Sequence, residues 1–359
     1  MEILVLSRYG HLGASSRVRF HNFFDSIKSI EISIHYEALI SDALLMKLYG
    51  SGKYRIFDLM SAYWKRLRFL FSNRNCKYLW LEKELFPWLP YKLESFLLGH
   101  KHLILDIDDA IFHNYDQHSF WLIRLVLGRK IDKLMKRADA VFAGCPYIAE
   151  RARKSGALNV ILVPTSVNPN IYLPLKNSAQ PDKVTVVWIG SPSTVQYLSV
   201  LRDTFDLLSE NYSYELVIIG ASASNIKLKN SRFVKWSEKE EASLVGGCDI
   251  GIMPLPDTPF ERGKCGYKLL QYMSCELPVV ASPVGVNLEI VDHGKNGFLA
   301  GTPSEWYSCL EILIQNKILR NRLGLNGREK VQGFYGHSHV ERIIVDYMLK
   351  MKNGRLCVD

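Results

Sequence analysis

The feature that most constrains this chain is a pattern that runs along it twice: a short apolar run, a polar turn, then a segment with apolar residues at helical spacing. In the first pass the strand candidates are residues 3–6, 33–37, 78–82, 103–106, 140–143 and 160–163. Helices are expected between them over 16–26, 43–49, 55–71, 120–137 and 146–155. Parallel strands need crossover connections, and helices of this length supply them, so the alternation specifies an α/β chain with helices on both faces of a parallel sheet. The stretch PTSVNPNIYLPLKNSAQPDK then breaks the pattern with four prolines, which places a linker near residues 168–182. Beyond it the series restarts with strands over 184–189, 216–219, 233–235, 250–253, 279–281 and near 298, and helices over 193–211, 238–245, 267–274, 303–315 and 318–333. The reading is two Rossmann-like, doubly wound domains, residues 1–170 and 171–335, facing each other across a cleft, which suits a length of 359 residues.

The net charge of +9 is uneven. Residues 1–170 hold 24 Lys and Arg against 16 Asp and Glu, and residues 171–359 hold 21 against 20. Within the first half, residues 43–78 carry Lys47, Lys53, Arg55, Lys65, Arg66, Arg68, Arg74 and Lys77 against the single acid Asp58, a local field that calls for an anionic partner. Seven scattered cysteines have no spacing that closes around zinc and read as free thiols in a reducing compartment. The N-terminus opens as a strand and turn rather than as a signal peptide, and no run of about 18 apolar residues occurs. A cytoplasmic protein is expected, soluble or peripheral on the membrane.

Ligands of doubly wound sheets bind outside the carboxyl ends of the strands, so the loops there are where chemistry is sought. The first, GHLGASSRVRF, has Gly10 and Gly13 but Ser16 where a dinucleotide fingerprint needs a third glycine. It reads as a tight turn from which Arg17 and Arg19 face out toward an anion. In VVWIGSPSTVQYL, Gly190 ends a strand, Ser191 stands as N-cap, Pro192 at the first helical position and Thr194 at the third. A helix N-terminus there is a phosphate site or ordinary capping. The richest run is residues 254–300. Lys264 and Lys268 flank Gly266 near a helix start, an arrangement suited to a diphosphate, with Glu261, Gln271 and Glu289 able to accept from sugar or ribose hydroxyls. The alternative is a solvated charged loop before a core helix.

The run GYKLLQYMSCELPVVASPVGVNLEIVDHGKNGFLA resembles the signature region of nucleotide-sugar glycosyltransferases of the group 1, or family 4, type. The resemblance extends back to ADAVFAGCPYIAERARKSGALNVILVPTSVNPNIY. It implies the GT-B architecture, with the donor on the second domain, the acceptor on the first, no cofactor or metal, and retention at the anomeric carbon. It also implies that the C-terminal helix, within 336–359, returns to pack on the first domain. Lys264, Lys268 and helix N-termini would neutralise the departing diphosphate in place of a divalent ion. The base is expected around Lys235, Trp236 and Ser237, and Gly263, Tyr267 and Asn287 complete the expected donor contacts. Relatives often carry two glutamates eight positions apart; here those positions are Gly263 and Gln271.

In the first domain LILDIDDAIF sets Asp106, Asp108 and Asp109 at a strand end, where carboxylates act as base toward an acceptor hydroxyl, hold a metal, or cap a helix. Asp108 and Asp109 are the expected catalytic pair. Gly13, Arg17, Arg19 and Glu84, at the ends of neighbouring strands, are the expected acceptor side. YRIFDLMSAYWKRLRFLFSNR interleaves aromatic and basic residues in a composition suited to an anionic membrane surface, or else sends its aromatics into the core. No nucleic-acid module accompanies the charge. The expected activity is retaining transfer of a sugar from a nucleoside-diphosphate donor to a glycan hydroxyl of a lipid-linked or cell-surface precursor. The rivals are a nucleotide-sugar epimerase or hydrolase on the same fold, a noncatalytic binding subunit, and, more remotely, a nicotinamide dehydrogenase.

Overall fold

The computed structural model describes residues 1–51, 54–175, 183–224 and 226–354. Lys53 of the basic stretch, residues 176–182 of the linker and Cys357 lie outside the described residues. The chain separates into two units: Met1–Thr165 with Arg262–Cys265 and Val340–Asp359, and Ser166–Glu261 with Gly266–His339.

The first unit is built on a six-stranded parallel sheet of β1 (Glu2–Tyr9), β2 (Ser33–Ile40), β3 (Tyr78–Glu82), β4 (His102–Ile107), β5 (Ala140–Ala143) and β6 (Val160–Leu162), in the order β2-β1-β3-β4-β5-β6. Runs such as Ile3 to Leu6 are fully buried, as strands covered on both faces must be. On one face Phe20, Trp80 and Phe142 pack with Val340, Ile344, Tyr347 and Met348 from helix His337–Lys352. Lys352 Nζ ties the end of that helix to Glu31 Oε2 at 2.8 Å. The helix expected over 16–26 is three pieces: Ala14–Arg19, a tight turn His21–Phe23, and Phe24–Ser29. Phe20 and Phe23 both enter the core, and the three-residue period of the turn aligns them. The helix expected over 120–137 is interrupted after Leu127, at Gly128, and resumes as Lys130–Arg137.

The second unit repeats the architecture with β7 (Val184–Ile189), β8 (Tyr214–Ile219), β9 (Ser231–Val234), β10 (Ile250–Met253), β11 (Val279–Ala281) and β12 (Gly297–Leu299), in the order β12-β11-β10-β7-β8-β9. All pairings in both sheets are parallel. Trp188, Phe205, Tyr214 and Trp306 anchor the core. Helix Pro303–Gln315 starts with a capping box, Thr302 and Glu305 each accepting the other's backbone N–H, with Pro303 in the first turn. The strand β9 ends one residue before Lys235, so Lys235 and Trp236 stand in the loop beyond it.

The strand order reverses between β1 and β3 in the first sheet and between β7 and β10 in the second. These two switch points are where α/β sheets open a crevice.

Candidate functional site

In the second unit, β7 and β10 leave the switch point through Gly190 and through the run that leads to helix Tyr267–Ser274. Gly190 donates its N–H to the Ile219 carbonyl at 3.0 Å. A Cβ at this position would stand 2.6 Å from the Trp188 indole and 3.0 Å from Lys268 Nζ, so only glycine lets the strand end, the indole and the ammonium approach this closely. Lys268 Nζ rides over the Trp188 ring, 4.5 Å from its centroid, an attraction that helps to hold the ammonium there. Gly266 sets the start of the helix in a left-handed conformation, φ +68°, against the segment Asn287–Ile290. The structure thus brings Gly190, Lys268 and Gly266 to the strand ends together.

Other expected donor residues are placed differently. Ser191 is not an N-cap: residues 191–194 form a turn in which Ser191 Oγ lies 2.8 Å from Ser193 Oγ and Thr194 Oγ1 donates to the Ser191 carbonyl at 3.1 Å. The helix begins only at Val195, as a seven-residue 3-10 helix, so no α-helical N-terminus faces the crevice from this loop. Glu261 is buried, accepting from Tyr197 Oη at 2.5 Å and from Thr258 Oγ1. Asn287 is buried, Nδ2 donating to the Ser282 carbonyl at 3.0 Å while Oδ1 has no partner. Glu289 is exposed, its carboxyl raised by partial burial against the opposing charge of Lys330. Ser237 Oγ binds Glu240, at 3.0 Å to its carboxylate, and Lys235 is exposed.

Gln271, expected at a ribose, belongs to a buried polar cluster. Its Nε2 donates to Tyr172 Oη and Glu241 Oε1, both at 2.8 Å. Glu241 also accepts from Tyr172 Oη and from Trp236 Nε1, and Tyr267 Oη lies 3.4 Å from Tyr172 Oη. Burial pushes the Tyr172 hydroxyl far above the usual range, with Tyr267 and Glu241 beside it acting in the same sense. Tyr172 and Glu241 were missed by sequence reasoning, and nothing local marks them: one lies in the linker, the other in an acidic run SEKEE.

Lys264 and Gly263 lie on the peptide 262–265 that clusters with the first unit. A Cβ at Gly263 would collide with Ala110, so the glutamate common in relatives has no room to start from here. Lys264 is half-buried.

At the first unit's switch point the crevice is filled by ion pairs. Arg19 does not face out: it is buried, its Nε 2.8 Å from Asp106 Oδ1 and its Nη1 on the Val163 carbonyl. Arg17 is buried as well, with Nη1 3.5 Å from the His11 carbonyl, and Gly13 is buried at the start of Ala14–Arg19. Both arginines were expected outside because charge in a turn is usually solvated; the carbonyls and carboxylates at the strand ends draw them in. Glu84 is likewise not open to an acceptor. It takes Lys130 Nζ at 2.7 Å and Tyr115 Oη at 2.8 and 2.9 Å, and Arg8 Nη1 stands 3.5 Å away.

Between them Lys83 takes a left-handed backbone, φ +64°, held by its N–H to the Asp106 carbonyl at 2.8 Å. That strain aims the ammonium at Asp108 Oδ1 (2.9 Å), Asp109 Oδ2 (3.5 Å) and Glu82 Oε1 (3.8 Å). Asp108 also accepts from Ser15 Oγ; burial alone would raise its carboxyl, but Lys83 and Ser15 hold it below the usual range. Asp109 keeps about a third of its side chain exposed, at 32% against 10% for Asp108. Among the described residues no three His, Cys, Asp or Glu side chains converge as metal ligands do.

The basic stretch forms helix Ile56–Ser72. Its aromatics do not all enter the core, nor are its basic residues all solvated. Arg66 is fully buried on Glu37 at 2.7 Å, whereas Phe57, Met60, Trp64 and Phe71 are exposed along one stripe. No described helix is long and apolar enough to cross a membrane.

Comparison with known proteins bears on the second unit first. Residues 183–316 match the family described as Glycosyl transferases group 1. An uncharacterised glycosyltransferase of Methanocaldococcus jannaschii is 31% identical over 130 residues, 35% of this chain and 34% of that protein. The capsular polysaccharide biosynthesis glycosyltransferase CapM of Staphylococcus aureus is 21% identical over 229 residues, 52% of this chain and 60% of that one. The matched stretches therefore span about a third and three fifths of these relatives. Among solved structures, sucrose-phosphate synthase of Thermosynechococcus elongatus superposes with a TM-score of 0.75 at 13% identity, covering 99% of this chain and all of that one. Anabaena HepE in complex with UDP-glucose gives 0.70 at 17% identity, covering 98% and 100%. Two six-stranded parallel sheets with this connectivity are the GT-B fold.

Proposed function

We propose that this chain, whose residues 183–316 match the group 1 glycosyltransferases, is a glycosyltransferase that moves a sugar from a nucleoside-diphosphate donor to a glycan hydroxyl, with retention at the anomeric carbon. The observation that carries this reading is the Lys268 ammonium held over Trp188 beside Gly190, where β7 and β10 end. In such a transfer the acceptor oxygen bonds to the anomeric carbon while the bond to the phosphate oxygen breaks, and the diphosphate departs with the electron pair. A cation already fixed at that oxygen stabilises the developing charge without reorganising, so no metal is required. Lys264 is the second cation in this reading, and Glu261, Asn287 and Glu289 are the side chains assigned to the sugar. The Anabaena neighbour holds UDP-glucose, which favours a uridine-type donor here, with the base beside Lys235 and Trp236.

The acceptor is assigned to the first unit. Asp109, the more exposed of the two neighbouring carboxylates, takes the acceptor's proton, and Lys83 keeps Asp108 charged beside it. The capsule relative supports a polysaccharide precursor as acceptor. A lipid-linked one accords with the outward stripe of Phe57, Met60, Trp64 and Phe71 among basic residues, an interfacial face for the cytoplasmic side of an anionic membrane. The test is Lys268→Ala, scored by transfer and by donor-induced thermal shift across nucleoside diphosphates and their sugars. Transfer should fall about 10²- to 10³-fold with the unliganded melting point preserved; an unchanged rate removes the assignment.

A further inference from the structure

The first unit has a second apolar face that sugar transfer does not use. Helix Trp121–Leu127 exposes Trp121 (58%), Leu122, Leu125 (72%) and Val126, and the preceding Phe120 is exposed too. At about 3.6 residues per turn these four helical positions share one arc, while Leu127 turns inward. A solvated helix face is ordinarily polar, so this one is built for an apolar medium.

Arg124 and Gly128 flank that arc, and they form one wall of a cavity of about 400 Å³ that is also lined by Arg129, Arg151 and Lys154, with Asp116 and Asp132. Four cations face two acids there. Both acids are taken by Arg151, with Asp132 at 2.8 and 3.0 Å and Asp116 at 3.0 Å. Arg129 is exposed and has no ion pair among the described residues. Arg124 uses only Nη1, on the carbonyls of His118 and Ser119, and Lys154 has just the exposed Glu150 one turn away. A cationic cavity at the rim of an apolar helix face matches one ligand chemistry, a phosphate joined to an acyl chain.

We propose that this cavity binds the phosphate of an anionic membrane lipid while Trp121 and Leu125 enter the headgroup boundary. A chain of contacts links this face to helix Ile56–Ser72. Tyr63 Oη donates to the Pro87 carbonyl at 2.8 Å, exposed Trp88 packs on His118 at 5.8 Å, and the Phe120 N–H donates to His118 Nδ1 at 3.0 Å. The proposal rests on the membrane reading given above only for the presence of a bilayer.

The test is flotation of the full chain with vesicles of phosphatidylcholine, with and without phosphatidylglycerol. Binding is expected only with phosphatidylglycerol. Arg129→Ala should weaken it about fivefold, the worth of one basic residue at an anionic surface, and Leu125→Glu should abolish it, both with unchanged donor-induced thermal shift and unchanged transfer to a soluble acceptor. Flotation lost with Trp64→Glu but kept with Leu125→Glu and Arg129→Ala would leave the helix 56–72 reading standing and overturn this one. If the parent chain floats with neither vesicle, both membrane readings fail while sugar transfer stays testable. Inorganic phosphate protecting the parent but not Arg129→Ala in thermal melts, without flotation, would make the cavity a site for free phosphate. A change of solution mass in Leu125→Glu would make the face a contact with a second copy. Either result overturns the lipid assignment.

Discussion

At the carboxyl ends of β1 and β3 the first unit buries Arg19, Arg66, Lys83 and Lys130 with Glu37, Glu82, Glu84, Glu94, Asp106 and Asp108, and half-buried Arg8 stands beside Glu84, whereas at the ends of β7 and β10 the second unit presents a glycine and an ammonium over an indole. The two sheets share a topology class, and their switch points are used in opposite senses. Charges that are paired and desolvated repay little in stability and offer little to a ligand, because each is already spent on its neighbour. The second unit instead sets its cation over an aromatic face at the strand ends. The difference also corrects the bookkeeping of charge. Among the described residues of 1–170, five basic side chains, Arg17 included, and six acidic ones are buried, against totals of 24 and 16 in that stretch of sequence. The basic excess of the first half is thus not consumed by its ion pairs.

The largest effect is expected from unbalancing the first crevice. Lys130 is fully buried with Glu84 and Glu94 both at 2.7 Å, so Lys130→Met leaves two carboxylates buried side by side without their cation. Chemical denaturation should show the first unit destabilised by about 3 to 5 kcal/mol. A loss below about 1 kcal/mol would mean the network is wetter than its burial implies. In the second crevice the corresponding change is Gly190→Ala, whose new methyl meets Trp188 and Lys268 Nζ. It should displace the ammonium and abolish donor-induced thermal stabilisation while costing the apo protein far less than Lys130→Met does. Equal damage to both readouts would erase the contrast between the two sites.

Between these sites lies the question of what could be seen in advance. The strands of both sheets were legible because a strand buried on both faces is a near-continuous apolar run, as in ILVL, LWLE, VVWI and LVII. Gly190 and Lys268 were legible because glycine at a strand end and lysine at a helix start carry local meaning. The ion pairs were not. Lys83 between two glutamates reads as a solvated strand end, and its direction is set by a left-handed backbone and by Ser15 and Asp108, 68 and 25 residues away in sequence. Arg17, Arg19 and Glu84 were misplaced for the same reason: whether a charge faces water depends on what the fold brings to it. The start of the helix after β7 failed differently, since a Ser-Pro pair serves a turn as well as an N-cap.

A smaller effect tests the departure at position 271. Gln271 donates through its amide to Glu241 and Tyr172, so Gln271→Glu replaces a donor with a carboxylate facing another carboxylate. Destabilisation of the second unit by about 1 to 3 kcal/mol is expected. Adding Glu241→Gln restores one donor and one acceptor across the pair, and the double variant should recover most of the loss. A double-mutant cycle with no coupling would show that the two side chains do not share the bond.

The smallest effect separates the two units by pH. Burial pushes the Glu94 carboxyl from 4.5 up to about 7, against the pull of Lys130, and pushes Asp106 from 3.8 to about 6, against Arg19. Both groups bind protons more tightly folded than unfolded, so their contribution to stability falls as pH rises from about 4 through about 7, and it is recovered on acidification. Asp108 acts in the opposite sense, but its carboxyl is held low by Lys83 and Ser15, so its contribution is lost only at more acidic pH. Thermal melts of the full chain should therefore show the first unit gaining stability between pH 8 and pH 5. Glu94→Gln keeps an acceptor for the Leu85 N–H and for Lys130 but cannot titrate, so it should flatten the step near pH 7 and leave the Asp106 step near pH 6. A parent profile that falls toward pH 5, or a Glu94→Gln profile that matches the parent, would show that these carboxyls are already charged in the fold and that the first crevice admits water.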